Sequence, residues 1–307
     1  MPRNQVLRQG ATVVTRRVSL EARDNRVGKL FLVPAISVLV IIVAYPVIYS
    51  FIMSFFRWRP IDPNRPFVGL KNYIRVMSDE RFFLSIRNTF IYALVGAFFK
   101  VMIGLGLALM MNRNFKGRGI ARTLLMLPWV LPVTASVTIW NWMFDGMYGI
   151  INVMLMRMGL IDTYINFLGQ KGVALACVLI VGIWMGYPQM MMMQLAGLQS
   201  IPLEMYEAAK VEGANSFQVF FRITLPSLAG ILQMAIILSI IWTFNSFNVI
   251  WLMTRGGSST HTMNTLAYEF SFVNMRYDLG AALSVTILIF LAVFLFIHSK
   301  MTKKMGA

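Results

Sequence analysis

The sequence predicts an all-α membrane protein with six transmembrane helices. Three observations carry this. Hydrophobic residues make up 58% of the chain and charged residues only 13%, and the mean hydropathy is +0.67. Six apolar runs fall at 30–56, 88–111, 124–144, 173–195, 228–253 and 279–297, each close to the ~20 residues that cross a hydrocarbon core of ~30 Å. The acidic residues all lie outside those runs, with Asp145 just past the third. A soluble domain of this hydropathy could not wet its surface, whereas a lipid-facing one can.

Before the first run, residues 1–29 form a basic segment with seven Lys or Arg. The apolar run that follows is too long for a signal-peptide core and has no small-residue cleavage site after a short stretch, so the first helix is expected to stay as an anchor. The net charge of +16 is spread over connections instead of gathered in one patch, which reads as topology and not as nucleic-acid binding. Sixteen cations lie on the side of the N-terminus, including Arg113, Lys116, Arg118, Arg122, Lys210 and Arg222, against eleven on the other side. Seven of those eleven lie between Arg57 and Arg87. The bias expects both termini, including a 300–307 tail, in the cytoplasm. Cys177 stands alone and excludes an intrachain disulfide; it reads as a small packing residue.

Much chemistry is excluded. Ion-coupled carriers place Asp, Glu or His within their spans, and here His261 sits in a connection and His298 at the edge of the last run. No Gly-x4-Gly-Lys-Ser/Thr loop, His-Glu-x2-His pair or nucleophile elbow occurs, so no metal site, catalytic group or energy source is expected in this chain. Lys100, inside the second run, is the exception: an intramembrane cation faces a cavity or partner and marks function, or lies along a wet groove without a role.

Between the fourth and fifth runs comes a connection unlike a loop. Pro202 can open a helix, Glu204 and Glu207 suit its positive end, and the residues through Lys210 are good helix formers. Gly213 ends it by a left-handed cap. Asn215 or Ser216 caps a second short helix through Phe217, Phe220 and Phe221 to Leu225, ending at Pro226. Two short helices at an angle present a rigid surface; the plain alternative is an amphipathic helix lying on lipid. In the fifth run, Ser239, Thr243 and Ser246 share one helical face, and in the fourth Gly182, Met185, Gly186 and Gln189 do the same. Small and polar residues on such faces either line a path or pack helices. Met190–Met193 reads as adaptable packing.

Glu207-Ala208-Ala209, then Gly213, then Ile223-x-Leu225-Pro226 resembles the EAA loop of permease subunits of binding-protein-dependent ABC importers. The stretches FVGLKNY from Phe67, LPWVLP from Leu127, WMGYP from Trp184, AGLQSIP from Ala196 and GAALS from Gly280 are similar to the carbohydrate branch, of the maltose-type first permease. Glu212, Gly230 and Ser258 depart from that pattern, where Asp, Pro and Pro are usual. The resemblance implies a type I ABC importer permease domain over 30–299, with a coupling loop at about 196–226. It implies a second permease subunit, two ATPase subunits that bind ATP and Mg, an extracytoplasmic solute-binding protein, a sugar substrate and a bacterial inner membrane. This chain would bind no cofactor and would not be catalytic.

By that resemblance Glu207, Ala208, Ala209, Gly213, Leu225 and Pro226 dock the ATPase, and the two polar stripes line the sugar path. Asn248 also matches a path position, but on a straight helix it lies opposite the stripe, so it joins only if the helix is distorted there. Trp184 and Trp251 read as packing or interfacial residues instead of sugar platforms. Two rivals stand beside this: a permease for an anionic sugar, such as a sugar phosphate or sulfonated sugar, supported by Lys100, and a stand-alone channel or secondary carrier.

The charge bias makes a direct test available. In a Cys177→Ser background, Asn64→Cys is expected to react with an impermeant maleimide from outside intact cells, and Ser216→Cys only after permeabilisation. External labelling of Ser216→Cys would invert the topology.

Overall fold

The computed structural model describes residues 31–305; the basic segment read at 1–29 lies outside them. Backbone polar groups in hydrocarbon must be satisfied within the segment, which leaves helices as the solution for runs this apolar. The described chain is accordingly helical, with one isolated bridge between Phe56 and Phe67. Helix α1 covers Phe31–Met53, with a π-turn at Val40–Ala44. A short α2 (Lys71–Met77) precedes the long α3 (Glu80–Asn112). Then come α4 (Arg118–Val130), α5 (Val133–Met143), α6 (Ile150–Arg157) and α7 (Val173–Gln199). After α8 (Leu203–Val211), the run Ser216–Ser227 forms α9, followed by α10 (Ala229–Phe244) and α11 (Asn248–Thr254). Helix α12 (Met263–Tyr268) continues through a π-turn at Glu269–Val273, and α13 is Tyr277–Met305.

Four helices, α1, α3, α7 and α13, are each long and apolar enough to cross a membrane, and the count reaches six if each bent pair is one span. Both bent pairs depart from a single straight helix. The third run is broken by 92° between α4 and α5, where Leu131 is extended (φ −67°, ψ 140°) because Pro132 disfavours helical geometry in the residue before it. The fifth bends by 66° between α9 and α10. Helix α9 does not stop at Pro226: a π-turn at Phe220–Thr224 precedes the proline, and the break falls at Leu228. The fifth run also ends as two helices, because α10 stops at Phe244 and α11 starts at Asn248.

The span helices meet through small residues, since lipid offers no hydrophobic drive for helix association and close van der Waals packing takes its place. Helices α3 and α7 run parallel. A Cβ on Gly104 would stand 2.8 Å from Met190 Cβ and 2.9 Å from the Met191 backbone nitrogen, and one on Gly182 would stand 2.2 Å from the Tyr92 hydroxyl. Gly197 makes the same kind of room for Leu228 and Ile231 of the fifth span. Met190 and Met191 are fully buried, and Cys177 packs with Val178, Val181 and Ile250. A second core gathers Phe82, Met263, Leu266 and Leu283 where α3 meets α12 and α13.

Polar side chains tie the end of the molecule where α3 begins. Asp79 caps α3 by accepting from the Arg81 backbone. The Arg81 guanidinium pairs with Asp79 at 3.0 Å and also with Glu269, while Glu269 Oε2 lies 3.0 Å from His261 Nε2. Buried Asn88 donates to the carbonyls of Ser259 (2.7 Å) and His261 (2.9 Å). Together these clamp the segment joining α11 to α12. Ser258 and Ser259 there have φ of 51° and 64°, a conformation that proline, fixed near −65°, cannot take; the departure from the usual Pro at 258 therefore has a backbone consequence. Two acids open span helices instead of lying clear of them: Glu80 in the first turn of α3, and Asp278, fully buried, in that of α13.

Burial pushes the His261 imidazole below its ordinary value, against the opposing pull of Glu269. A histidine that the fold holds neutral contributes stability present above its unfolded value of ~6.5, which is lost as pH falls below that toward the folded value. The thermal midpoint in detergent is expected to drop between pH 7 and pH 5, and a His261→Asn variant to show a shallower drop. Equal slopes in scanning fluorimetry would disprove the role of His261.

Candidate functional site

Where α3, α7 and α10 converge they line an open cavity of about 200 Å³, room for more than one water. Helix α3 contributes Tyr92 and Lys100, which share a face at an eight-residue spacing. Helix α7 contributes Gly182, Met185, Gly186 and Gln189, and the fifth span Ser239, Thr243 and Ser246. All eight of these α7, fifth-span and Lys100 positions were singled out in the sequence. Asn248 is not at the cavity: the chain does leave helical geometry at Asn245–Phe247, but Asn248 opens α11 exposed while the neighbouring Val249 turns in.

Five further residues line the cavity without having been read from the sequence: Tyr92, Trp129, Met190, Trp242 and Val249. Tyr92 had a signal in its spacing from Lys100. Trp129 had none, because it reaches the site only through the sharp bend after α4. Trp184 packs edge-on against Trp140 at 5.6 Å, and Trp251 lies 4.7 Å from Tyr268, so both tryptophans are held in aromatic clusters.

The side-chain placement follows from the glycines. The stem of Lys100 runs through the space left by Gly186, where a Cβ would stand 2.7 Å from Lys100 Cε and 2.8 Å from Cδ. Its Nζ donates to Thr243 Oγ1 at 2.8 Å. Thr243 is itself pressed toward Gly96, whose Cβ would lie 3.1 Å from Thr243 Cγ2. Ser239 Oγ is buried without a hydrogen-bond partner, a group that costs free energy unless water or a solute supplies one.

At the end where α3 finishes, α8 and α9 form a hairpin. Gly213 (φ 77°) turns it: the Ala214 amide donates to the Ala209 carbonyl and the Gly213 amide to that of Lys210, a Schellman cap. Asn215, not Ser216, caps α9 in a reciprocal capping box with Gln218. Tyr206 and Thr224 hydroxyls, 3.3 Å apart, bridge the two helices. Ala209 is buried, while Glu207 and Ala208 are exposed. Leu225 is half-buried and Pro226 exposed at the far end of α9. Val211 and Phe217 are 89% and 70% exposed, so the hairpin shows apolar side chains outward on a rigid frame.

Residues 100–304 match the model of the family described as "Binding-protein-dependent transport system inner membrane component". The chain is 33% identical to the trehalose/maltose transport system permease protein MalF of Thermococcus litoralis, over 92% of this chain and 95% of that one. It is 34% identical to the sulfoquinovosyl glycerol transport system permease protein SmoG of Agrobacterium fabrum, over 87% of each chain. A crystal structure of a bacterial ABC transporter that imports the acidic polysaccharide alginate superposes with a TM-score of 0.83 at 22% identity, covering 95% of this chain and 100% of that one. This chain belongs to the family of inner membrane components of binding-protein-dependent transport systems: it is an integral, multi-pass ABC importer permease.

Two glycines of the α3–α7 seam give contrasting expectations. Gly104→Ala meets a Cβ and backbone, so it overpacks by about 1–3 kcal/mol and lowers the thermal midpoint in detergent. Gly186→Ala meets only the flexible end of Lys100, so it leaves the midpoint close to that of the unmodified protein. Equal effects would show that the seam does not have this geometry.

Proposed function

We infer that this chain forms, with a second permease subunit, the sugar-conducting path of an ATP-driven importer in a cytoplasmic membrane. The reading rests on one juxtaposition: a cavity edged with hydroxyl, amide and indole groups within the spans, and a rigid exposed hairpin at one end of the same chain. Sugars need hydrogen-bonding groups for their hydroxyls and flat apolar surfaces for their rings; Gln189, Ser239, Thr243 and Ser246 supply the first, and Trp129 and Trp242 the second. Relatives named for trehalose/maltose and sulfoquinovosyl glycerol transport support a sugar and leave its charge open.

The hairpin faces the cytoplasm in this reading, and both termini lie on that side. Its exposed apolar and acidic residues seat in a groove on one of two ATPase subunits, which hold ATP and Mg, and a solute-binding protein delivers the sugar from outside. Helix α8 starts just after α7 ends and the hairpin rests against the end of α3, forming a groove lined by Leu109, Arg113, Tyr206 and Lys210. A push on the hairpin is thereby passed to both helices of the seam that holds the cavity. Among the described residues no acid or histidine lines the cavity, which disfavours a stand-alone ion-coupled carrier.

Two sets of variants test the halves separately. Glu207→Ala and Gly213→Pro are expected to insert normally but lose ligand-stimulated ATP hydrolysis and co-purification of the ATPase; the proline removes the amide that closes the cap. Gly186→Leu and Ser246→Phe are expected to retain the ATPase and to reduce uptake of radiolabelled sugar into proteoliposomes by tenfold or more. Thr243→Val, which keeps the volume and removes one hydroxyl, is expected to weaken transport by about tenfold or less, the worth of a hydrogen bond of ~1 kcal/mol. Full transport by both bulky variants in assembled complexes would remove the cavity from the path.

A further inference from the structure

Lys100 gives the cavity a charge that neutral-sugar recognition does not require. It lies twelve residues before the end of α3, about 18 Å along the helix at 1.5 Å per residue. Its side chain does not run toward that end: the stem is seated against Gly186 and the head is aimed at Thr243 across the cavity. A charge at the middle of a span is unfavourable to insert unless it is paired or faces a polar cavity. Thr243 offers only a neutral oxygen, to one of three ammonium protons.

No carboxylate compensates it within the described residues. The cavity lining contains no Asp or Glu, and the lysine and arginine ion pairs, Arg57–Asp62, Arg81–Asp79, Arg81–Glu269 and Arg276–Asp278, involve other residues. A second, independent feature points the same way. Ser239, fully buried on the same wall, has a hydroxyl without a partner, so the cavity contains an unpaired charge and an unpaired hydrogen-bonding group together. Both are completed by one occupant: an oxyanion for the ammonium, attached to a hydroxylated body for the serine.

We propose that Lys100 recognises the charge of the transported solute, and that this solute is a sugar bearing an anionic oxygen group, a carboxylate, sulfonate or phosphate ester. This rests on the sugar-path reading above and narrows its substrate class. The anion draws Lys100 Nζ away from Thr243 or shares it, since two ammonium protons are uncommitted. When the solute leaves, the lysine returns to Thr243, which holds the empty path in one arrangement. Selectivity follows from geometry: a neutral sugar must leave the cation uncompensated, whereas an anionic one neutralises it.

The test uses the reconstituted complex with its partner subunits and binding protein in proteoliposomes. Uptake is compared for matched pairs: a glucoside with its ordinary C6 hydroxymethyl group, and the same glucoside carrying a C6 carboxylate, sulfonate or phosphate. The unmodified complex is expected to favour one anionic member. Lys100→Met is expected to lower that anionic-to-neutral ratio by tenfold or more, as loss of a charge-assisted hydrogen bond does, and Lys100→Arg to keep most of it. A preference for the neutral member, or an unchanged ratio in Lys100→Met, overturns the proposal and leaves the sugar permease standing. Restoration of a Lys100→Glu variant by a lysine placed in the second permease also overturns it, because the counter-charge would then belong to that subunit. Uptake by Gly186→Leu at the rate of the unmodified complex, for either member of a pair, would instead remove the sugar-path reading itself.

Discussion

The seam between α3 and α7 is the contact on which the rest of the structure depends. Apolar surface gives no net attraction between helices already surrounded by lipid tails, so association needs backbones close enough for dense van der Waals contact. Gly104 supplies that closeness, leaving room for Met190 and the Met191 backbone. Gly182, about two turns from Met190 along α7, repeats it by receiving the Tyr92 hydroxyl. Between these two tight points Gly186 leaves a gap, and Lys100 enters it. Small residues thus both close the seam and open the one place along it where a polar side chain can stand.

Helix breaks then bring other elements to that place. Pro132 turns the third run through 92°, which carries Trp129 to the cavity, and the bend at Leu228 aims α10 so that Ser239, Thr243 and Ser246 face α3. The break at Asn245–Phe247 ends the stripe and starts α11 in a new direction. Each break costs backbone hydrogen bonds, tolerable at membrane depth only where protein or a wet cavity satisfies the freed groups. The break at Asn245–Phe247 lies beside the site, where Ser246 lines the cavity, whereas the one at Leu228 is packed against Gly197.

The two ends of the molecule are built by different means. Where α3 begins, Asp79, Arg81 and Glu269 form a charged cluster joined by the neutral His261, and Asn88 holds the backbone beside it. Where α3 ends, the α8–α9 hairpin relies on local devices: a Schellman turn at Gly213, a capping box at Asn215 and a hydroxyl bridge from Tyr206. Local devices keep a hairpin rigid while its outer face stays bare, as Val211 and Phe217 do here. A surface of this kind is suited to transmit force, because it moves as a unit.

The sequence by itself determined what depends on local and periodic chemistry. Run length and hydropathy marked the spans, the EAA stretch and Gly213 marked the hairpin, and a 3.6-residue period placed Gly182, Gly186, Ser239, Thr243 and Ser246 on inward faces. Lys100 stood out because an intramembrane charge is rare. Tertiary structure alone decided where straight helices give way, and with it the fate of Asn248, which the break after Phe244 leaves exposed outside the cavity. It also joined Trp129 to the site, paired Lys100 with Thr243 143 residues away, and linked Arg81 to Glu269 across 188. Helical period is a property of neighbours along the chain and is written in them. A bend angle or a lysine's partner depends on which distant surfaces fit closely enough to pack, and no stretch of sequence holds both halves of that contact.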